Sequence, residues 1–449
     1  MKGMSATTID PRDLMRASAM SGLQRKAVFA TVALAAVDGF DILAASFAAP
    51  GISAEWKLDK TAVGLFLSAG LMGMAAGSFL LAPFGDLWGR RRLVFLSLAL
   101  MALGMGMGAM ASGLPWLTFW RIVCGLGIGT MVSVINPIAT EFANARWRDL
   151  AVSTMAVGLP MGGVIGGIAG TLLLREYDWR VLFWIGAGLS LAMAPIVWAW
   201  LPEPLSFLIE KPNDRSLERV NALLARCGLQ TVASLPPPRV TAARQRLSSL
   251  FGPENLAITV RVTVVNLLHV VAAYFLIGWV PQIVADLGHS QSDAASVSLT
   301  LSGTGILGGV LFGMASAYKP VRLLAASALC LLAVFTIAFC WVSAELGTLR
   351  VLAGFVGFFL FAGSCAMHSA VSRSFGDHVR ATGAGFVFGI GRVGSSIAPL
   401  VTGWLFSIGV GRQGISLALA AGLVLAGLLL ATLSTLKATE APRKPPGSL

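Results

Sequence analysis

Twelve apolar runs of about 20 residues or more, the length an α-helix needs to cross a bilayer, succeed one another along this chain of 449 residues. They fall at approximately 26–50, 61–83, 93–111, 116–142, 150–173 and 180–201, then at 262–285, 294–317, 321–342, 348–371, 381–406 and 413–436. Only 12% of the residues are charged, about half the usage of an average globular protein, so a water-soluble enzyme is excluded. The 51 glycines point the same way, because small residues let membrane helices approach closely where lipid gives no hydrophobic drive for association. The expected fold class is an all-α membrane protein with twelve transmembrane helices in two six-helix bundles.

The first six runs give a bundle over residues 26–201 and the second six a bundle over 262–436. Residues 1–25 and 437–449 are tails, and 202–261 is a polar, arginine-rich linker carrying the Pro236-Pro237-Pro238 run. Two matched bundles joined by one long loop is the pattern of secondary transporters that rock two repeats about a midplane site. Of the 33 lysines and arginines, 25 lie in the tails and loops on the side of the N-terminus and 6 in the opposite loops. The positive-inside rule then places both termini in the cytoplasm. This distribution accounts for the net charge of +12 without nucleic acid. The five cysteines are scattered, without a CxxC or Cys/His cluster, so neither a disulfide framework nor a metal site is expected, and no cofactor is implied.

Ionisable side chains inside the runs cost at least ~2.5–3.5 kcal/mol each near the bilayer centre and usually mark a pathway or a paired site. Asp38 and Asp41 sit three apart in the first run and so share a helix face; they are the candidate proton-coupling residues, the alternative being a structural pairing with a neighbouring helix. Arg121 in the fourth run and Arg392 in the eleventh are candidate receptors for a substrate anion. Arg121 is also placed to form a fixed ion pair with Asp41. Glu141, at the end of the fourth run, is read as a structural or gating residue reaching the arginines of the following loop. His269 and His368 are read as hydrogen-bonded packing residues, the alternative being a relay, and Asn136-Pro137 as a kink or as polar backbone offered to a cavity.

Tyr274, Phe275 and Trp279 lie on the seventh run, the counterpart in the second half of the run that carries the aspartates. A planar aromatic ligand would stack there, the alternative being ordinary packing. Gly158, Gly162, Gly166 and Gly170 repeat at four-residue spacing with Gly163 and Gly167 beside them, a face for close helix packing.

The segment Ala82-Pro83-Phe84-Gly85-Asp86-Leu87-Trp88-Gly89-Arg90-Arg91-Arg92 resembles the cytoplasmic loop signature of the major facilitator superfamily. Asp86, Gly89, Arg90 and Arg91 fit it as gating or structural residues, whereas Ala82 and Leu87 stand where the family has glycine and arginine. Within that superfamily, Asp38-Gly39-Phe40-Asp41 with Ala49-Pro50 looks like the first helix of the aromatic acid:proton symporters. Arg121 with Gly125, Gly127, Gly129 and Glu141 looks like their fourth helix, Trp179-Arg180 with Phe183 like the start of their sixth, and Arg380-Ala381-Thr382-Gly383 with Gly391-Arg392-Val393-Gly394 and Pro399 like their eleventh. The resemblance implies a monomeric carrier in the bacterial inner membrane, working by alternating access, that imports benzoate-like or hydroxybenzoate-like anions with protons. It implicates Asp38, Asp41, Arg121, Glu141, Arg380 and Arg392 in transport. The alternatives on the same fold are a symporter of aliphatic or dicarboxylic acids and a drug:proton antiporter.

Overall fold

The computed structural model describes residues 10–210, 215–236, 247–316, 318–342, 345–376 and 379–433. Pro237, Pro238 and the C-terminal tail proposed from the sequence lie outside the described residues. Among those described, eleven helices are long and apolar enough to cross a membrane, and Gly158–Leu173 is a shorter apolar helix at the place of the fifth run.

A short α1 (Pro11–Ala17) precedes α2 (Gly22–Trp56). Then come α3 (Lys60–Ala76), a π-helical turn at Gly77–Leu81, a 3-10 turn at Ala82–Phe84 and the four-residue α4 (Gly85–Trp88), which together make the second span. α5 (Arg90–Ala109) and α6 (Leu114–Phe142) follow. The fifth span is divided into α7 (Arg148–Ala156) and α8 (Gly158–Leu173). Pro160 has no amide to bond the Ala156 carbonyl and its ring crowds that position, which accounts for the interruption at Val157. α9 (Arg180–Trp200) completes the first six spans. The linker holds α10 (Leu205–Glu210) and the amphipathic α11 (Ser216–Arg226). The second six are α12 (Leu256–Asp286), α13 (Gln291–Ala315), α14 (Val321–Trp341), α15 (Leu346–Ser374), α16 (Arg380–Ser407) and α17 (Arg412–Ala431).

By backbone contact the chain divides into two compact units, one of residues 1–42, 73–162 and 183–243, the other of 43–72, 163–182 and 244–449. In the first unit α6 lies against the second span with backbone nearly touching backbone: a Cβ at Gly73, Gly77 or Gly129 would overlap the carbonyls of Ile122, Leu126 and Met74 respectively. Gly158 and Gly162 of α8 meet α2 in the same manner, at Ala35 and at Gly39 and Phe40.

The second unit combines the parts of α2, α3 and α8 remote from the N-terminus with the last six spans. Gly163, Gly167 and Gly170 of α8 meet Ser302, Leu299 and Ala295 of α13. Gly64 of α3 lies against Pro399 and Gly403 of α16. Lys60 bonds Asp286 at 2.6 Å and Gln282 donates to the same carboxylate at 2.9 Å. The glycine repeat thus serves two faces rather than one, with Gly158 and Gly162 on α2, Gly163, Gly167 and Gly170 on α13, and Gly166 buried beside them.

Candidate functional site

Asp38 and Asp41 project from the middle of α2 into the first unit, 3% and 0% exposed; the Asp38 carboxylate has no hydrogen-bond partner, and the Ser190 hydroxyl of α9 lies near the Asp41 carboxylate. Gly39, between them, has no side chain to hold α8 away: a Cβ there would stand 2.7 Å from the Leu159 Cα. Arg121 of α6 is 2% exposed. Its Nη1 donates at 3.0 Å to the backbone carbonyl of Asp41 and lies 3.5 Å from the Met105 sulfur, and its guanidinium covers the Phe183 ring at 5.9 Å. Gly186 of α9 leaves space for the Asp41 carboxylate, since a Cβ there would come within 2.6 Å of Oδ1. The arginine therefore bonds the main chain at Asp41 and acts on its carboxylate only electrostatically, without the fixed ion pair that the sequence left as the alternative to an anion receptor.

In the second unit Tyr274 of α12 and Arg392 of α16 come within electrostatic range of each other. Both are only partly buried. Phe275 and Trp279 are instead fully buried, and Trp279 packs on Phe406 with ring centroids 5.0 Å apart. Of the three aromatic residues singled out on this helix, Tyr274 is the one within electrostatic range of Arg392, while Phe275 and Trp279 sit in packed interior. The helical repeat explains this, because neighbouring positions on a helix are about 100° apart.

A polar set adjoins them. Asn266 Nδ2 donates to the Val387 carbonyl at 3.2 Å, tying α12 to α16. His269 Nε2 lies 3.1 Å from Ser364 Oγ on α15. His368, one turn beyond Ser364, bonds the Ser364 carbonyl through Nδ1 at 2.9 Å and stacks on Phe388 of α16 at 4.7 Å.

At the ends of the first-unit helices, Glu141 accepts from the Ser206 amide at 2.7 Å and faces Arg90 at 3.6 Å. The arginine it faces at 3.6 Å thus comes from the loop two spans earlier, while Arg148 of the following loop lines the same cavity. Arg90 also reaches Asp86 at 3.7 Å, but the Asp86 carboxylate is 78% exposed. The acid that meets the start of α5 is Glu203, which accepts from the Arg91 amide at 3.2 Å. Gly89, at φ 101°, makes the turn, and a Cβ there would come within 2.9 Å of Glu203. Burial holds the Glu203 carboxyl above the usual carboxylate range, partly offset by the Arg91 and Arg90 amides. Arg91 itself donates to the Trp198 carbonyl at 2.7 Å. Arg380 is exposed at the first residue of α16. Sequence reasoning missed Glu203, and it missed Glu55, whose carboxylate takes the Trp179 indole at 2.7 Å and Arg180 at 2.8 Å. In both, the acid lies more than 100 positions from its partner, so no local spacing marks the pair.

The sequence model described as Major Facilitator Superfamily matches residues 31–399. The 3-(3-hydroxy-phenyl)propionate transporter of Escherichia coli K12 is 31% identical over 88% of this chain and 90% of its own length. A 4-hydroxybenzoate transporter of Pseudomonas putida is 29% identical over 90% of each chain, and a gallate transporter of the same organism is 26% identical over 83% of this chain and 84% of its own. Among solved structures, the xylose transporter of E. coli in an inward open conformation aligns with a TM-score of 0.70 at 15% identity, covering 92% of this chain and 98% of that one, a likeness of fold. The chain belongs to the Major Facilitator Superfamily, and within it to the aromatic acid transporter family.

Proposed function

We propose that this transporter carries aromatic carboxylates, benzoate-like or hydroxybenzoate-like, inward across the cell's inner membrane together with protons, by alternating access. The observation that carries the reading is the Asp38–Asp41 pair: two buried carboxyl groups without an ion pair, Asp38 with no hydrogen-bond donor and Asp41 with only the Ser190 hydroxyl and the Arg121 charge near it. Left charged, each would cost several kcal/mol of desolvation, and a proton removes that cost. Binding and release of a proton at either residue then requires a change in its surroundings, which is what coupling demands. The Arg121 bond to the Asp41 carbonyl links that change to α6.

Arg392, with Tyr274 in electrostatic range of it, takes the substrate carboxylate, because a guanidinium offers paired donors in the plane of a carboxylate. The tie of Glu141, Arg90 and Glu203 at the helix ends acts in gating, together with Asp86, which faces Arg90, and Arg380 at the start of α16. The sequence halves 26–201 and 262–436 are the two repeats that move, and both termini are cytoplasmic, as the distribution of 25 of 33 basic residues supports.

The test is uptake of radiolabelled 4-hydroxybenzoate into proteoliposomes under an inward proton gradient, with and without a protonophore, in competition with benzoate, protocatechuate, muconate and glucose. Gradient-dependent uptake competed by the aromatic acids alone is expected. Asp41→Asn abolishes proton-driven accumulation while the fold persists, and wild-type accumulation ratios in that variant would refute the assignment of the proton to this residue.

A further inference from the structure

The polar set of α12, α15 and α16 is not used by the coupling chemistry above, yet its hydrogen bonds place the proton on one imidazole, that of His368. The Ser364 carbonyl can only accept, so the 2.9 Å bond makes His368 Nδ1 the N–H donor. In the neutral ring Nε2 is then a bare acceptor. Ser364 Oγ lies 3.1 Å from both the Leu360 carbonyl and His269 Nε2, so its one proton can go to either, and His269 Nδ1 is enclosed without a partner. His269 is 2% exposed and serves as the fixed wall, whereas His368 is exposed, with its ring laid on Phe388 at 24° between planes.

Arg392 lies four residues after Phe388 on α16, one turn away and on the same face, a rise of about 6 Å. One surface of the second unit therefore presents a cation, Arg392, and, a turn along, a flat aromatic platform edged by a hydrogen-bond acceptor.

We infer that His368 is a specificity-determining residue that reads a ring hydroxyl of the carried aromatic acid, its Nε2 accepting the hydroxyl hydrogen bond while Arg392 holds the carboxylate. This rests on the substrate class proposed above and deepens it, from aromatic acids in general to hydroxylated ones. The imidazole lone pair repels a carboxylate and welcomes a phenolic donor, so the pair fixes which end of the ligand points where. A ligand without a hydroxyl leaves Nε2 desolvated and unbonded, which is how a site built for a hydroxyl discriminates against its deoxy analogue.

The experiment is equilibrium binding of radiolabelled 4-hydroxybenzoate, 3-hydroxybenzoate and benzoate to the purified full-length protein in nanodiscs. It compares wild type with His368→Phe, which keeps a ring on Phe388 but has no lone pair, and His368→Gln, which restores an acceptor. The readout is the ratio of Kd values, benzoate over hydroxybenzoate, which does not depend on the fraction of protein that is folded. Wild type prefers one of the hydroxylated acids, His368→Phe lowers that preference roughly tenfold, and His368→Gln recovers part of it. An unchanged ratio in His368→Phe, or a wild type that binds benzoate as tightly as both hydroxylated acids, overturns the inference and leaves the aromatic-acid reading standing. A wild type that binds none of the three acids overturns that reading, and this inference with it.

Discussion

Gly39 lies between the two buried aspartates and against the backbone of α8, so replacing it by alanine tests how tightly the carboxylate pair is framed. An added Cβ would stand 2.7 Å from the Leu159 Cα and carbonyl oxygen and 2.8 Å from the Gly158 carbonyl oxygen. All three are backbone atoms, which cannot rotate aside as a side chain does. Ordinary contact begins at 3.4 Å, so α2 and α8 must part by about 0.7 Å. Overpacking of this kind costs about 1–3 kcal/mol, and a gain of roughly 0.5–1 kcal/mol from alanine's better helix propensity offsets part of it. The internal control is Gly188→Ala on α9, where a Cβ meets nothing within 4 Å and only the propensity gain remains.

The assay is thermal unfolding of both purified variants in the same detergent, alongside proton-driven uptake. At roughly 2 °C per kcal/mol for a large chain, Gly39→Ala unfolds about 2–4 °C below wild type, while Gly188→Ala unfolds at or above it. Uptake falls in the first variant and not in the second. Equal melting temperatures and equal uptake in the two variants would refute the view that α2 and α8 meet backbone to backbone at the aspartates.

Three further outcomes are expected. Glu203→Ala removes the acceptor at the start of α5 and lowers the melting temperature, by a cap loss of about 1 kcal/mol, whereas Glu203→Gln keeps most of the bond to the Arg91 amide; thermal unfolding of the pair separates the two. Because the Glu203 carboxyl is held above its ordinary range, the folded protein binds that proton more tightly than the unfolded chain. Its contribution is full below the ordinary glutamate value and is lost as pH rises through the folded one, so Glu203→Gln flattens that part of the stability profile in a pH-dependent melt. Lys60→Ala and Asp286→Ala each destabilise by less than about 1 kcal/mol, as expected of a half-exposed pair, and in a double-mutant cycle the two effects are less than additive.

The chain's alternation of apolar runs and basic loops made the helices legible, because lipid forces every span to close its own backbone bonds. The burial of Asp38, Asp41 and Arg121 was legible for the same reason. The partners were less so. That Arg121 holds a carbonyl rather than a carboxylate depends on how far α6 sits from α2, and sequence spacing carries no such distance. Asp86 carries the motif resemblance but is exposed, whereas nothing in the local sequence marks Glu203 as the acid that meets the start of α5. Phe275 and Trp279 share with Tyr274 the run that is the counterpart of the aspartate-bearing one, but the turn of the helix sends them into the interior. The interruption at Val157 could have been read from Pro160, but the apolar run on either side of it masked the signal.

The divided fifth span bears on how the protein is made. α8 is 16 residues long, about 24 Å at 1.5 Å per residue, so it needs α7 to complete a crossing of about 30 Å, and six of its residues are glycine. Such a segment has weak helical propensity of its own and gains its contacts from α2 and α13. α13 is translated more than 100 residues later. During biogenesis α8 must therefore wait in the bilayer with one glycine face uncovered, and truncated nascent chains ending before α13 are where the insertion machinery or a membrane chaperone would have to shelter it.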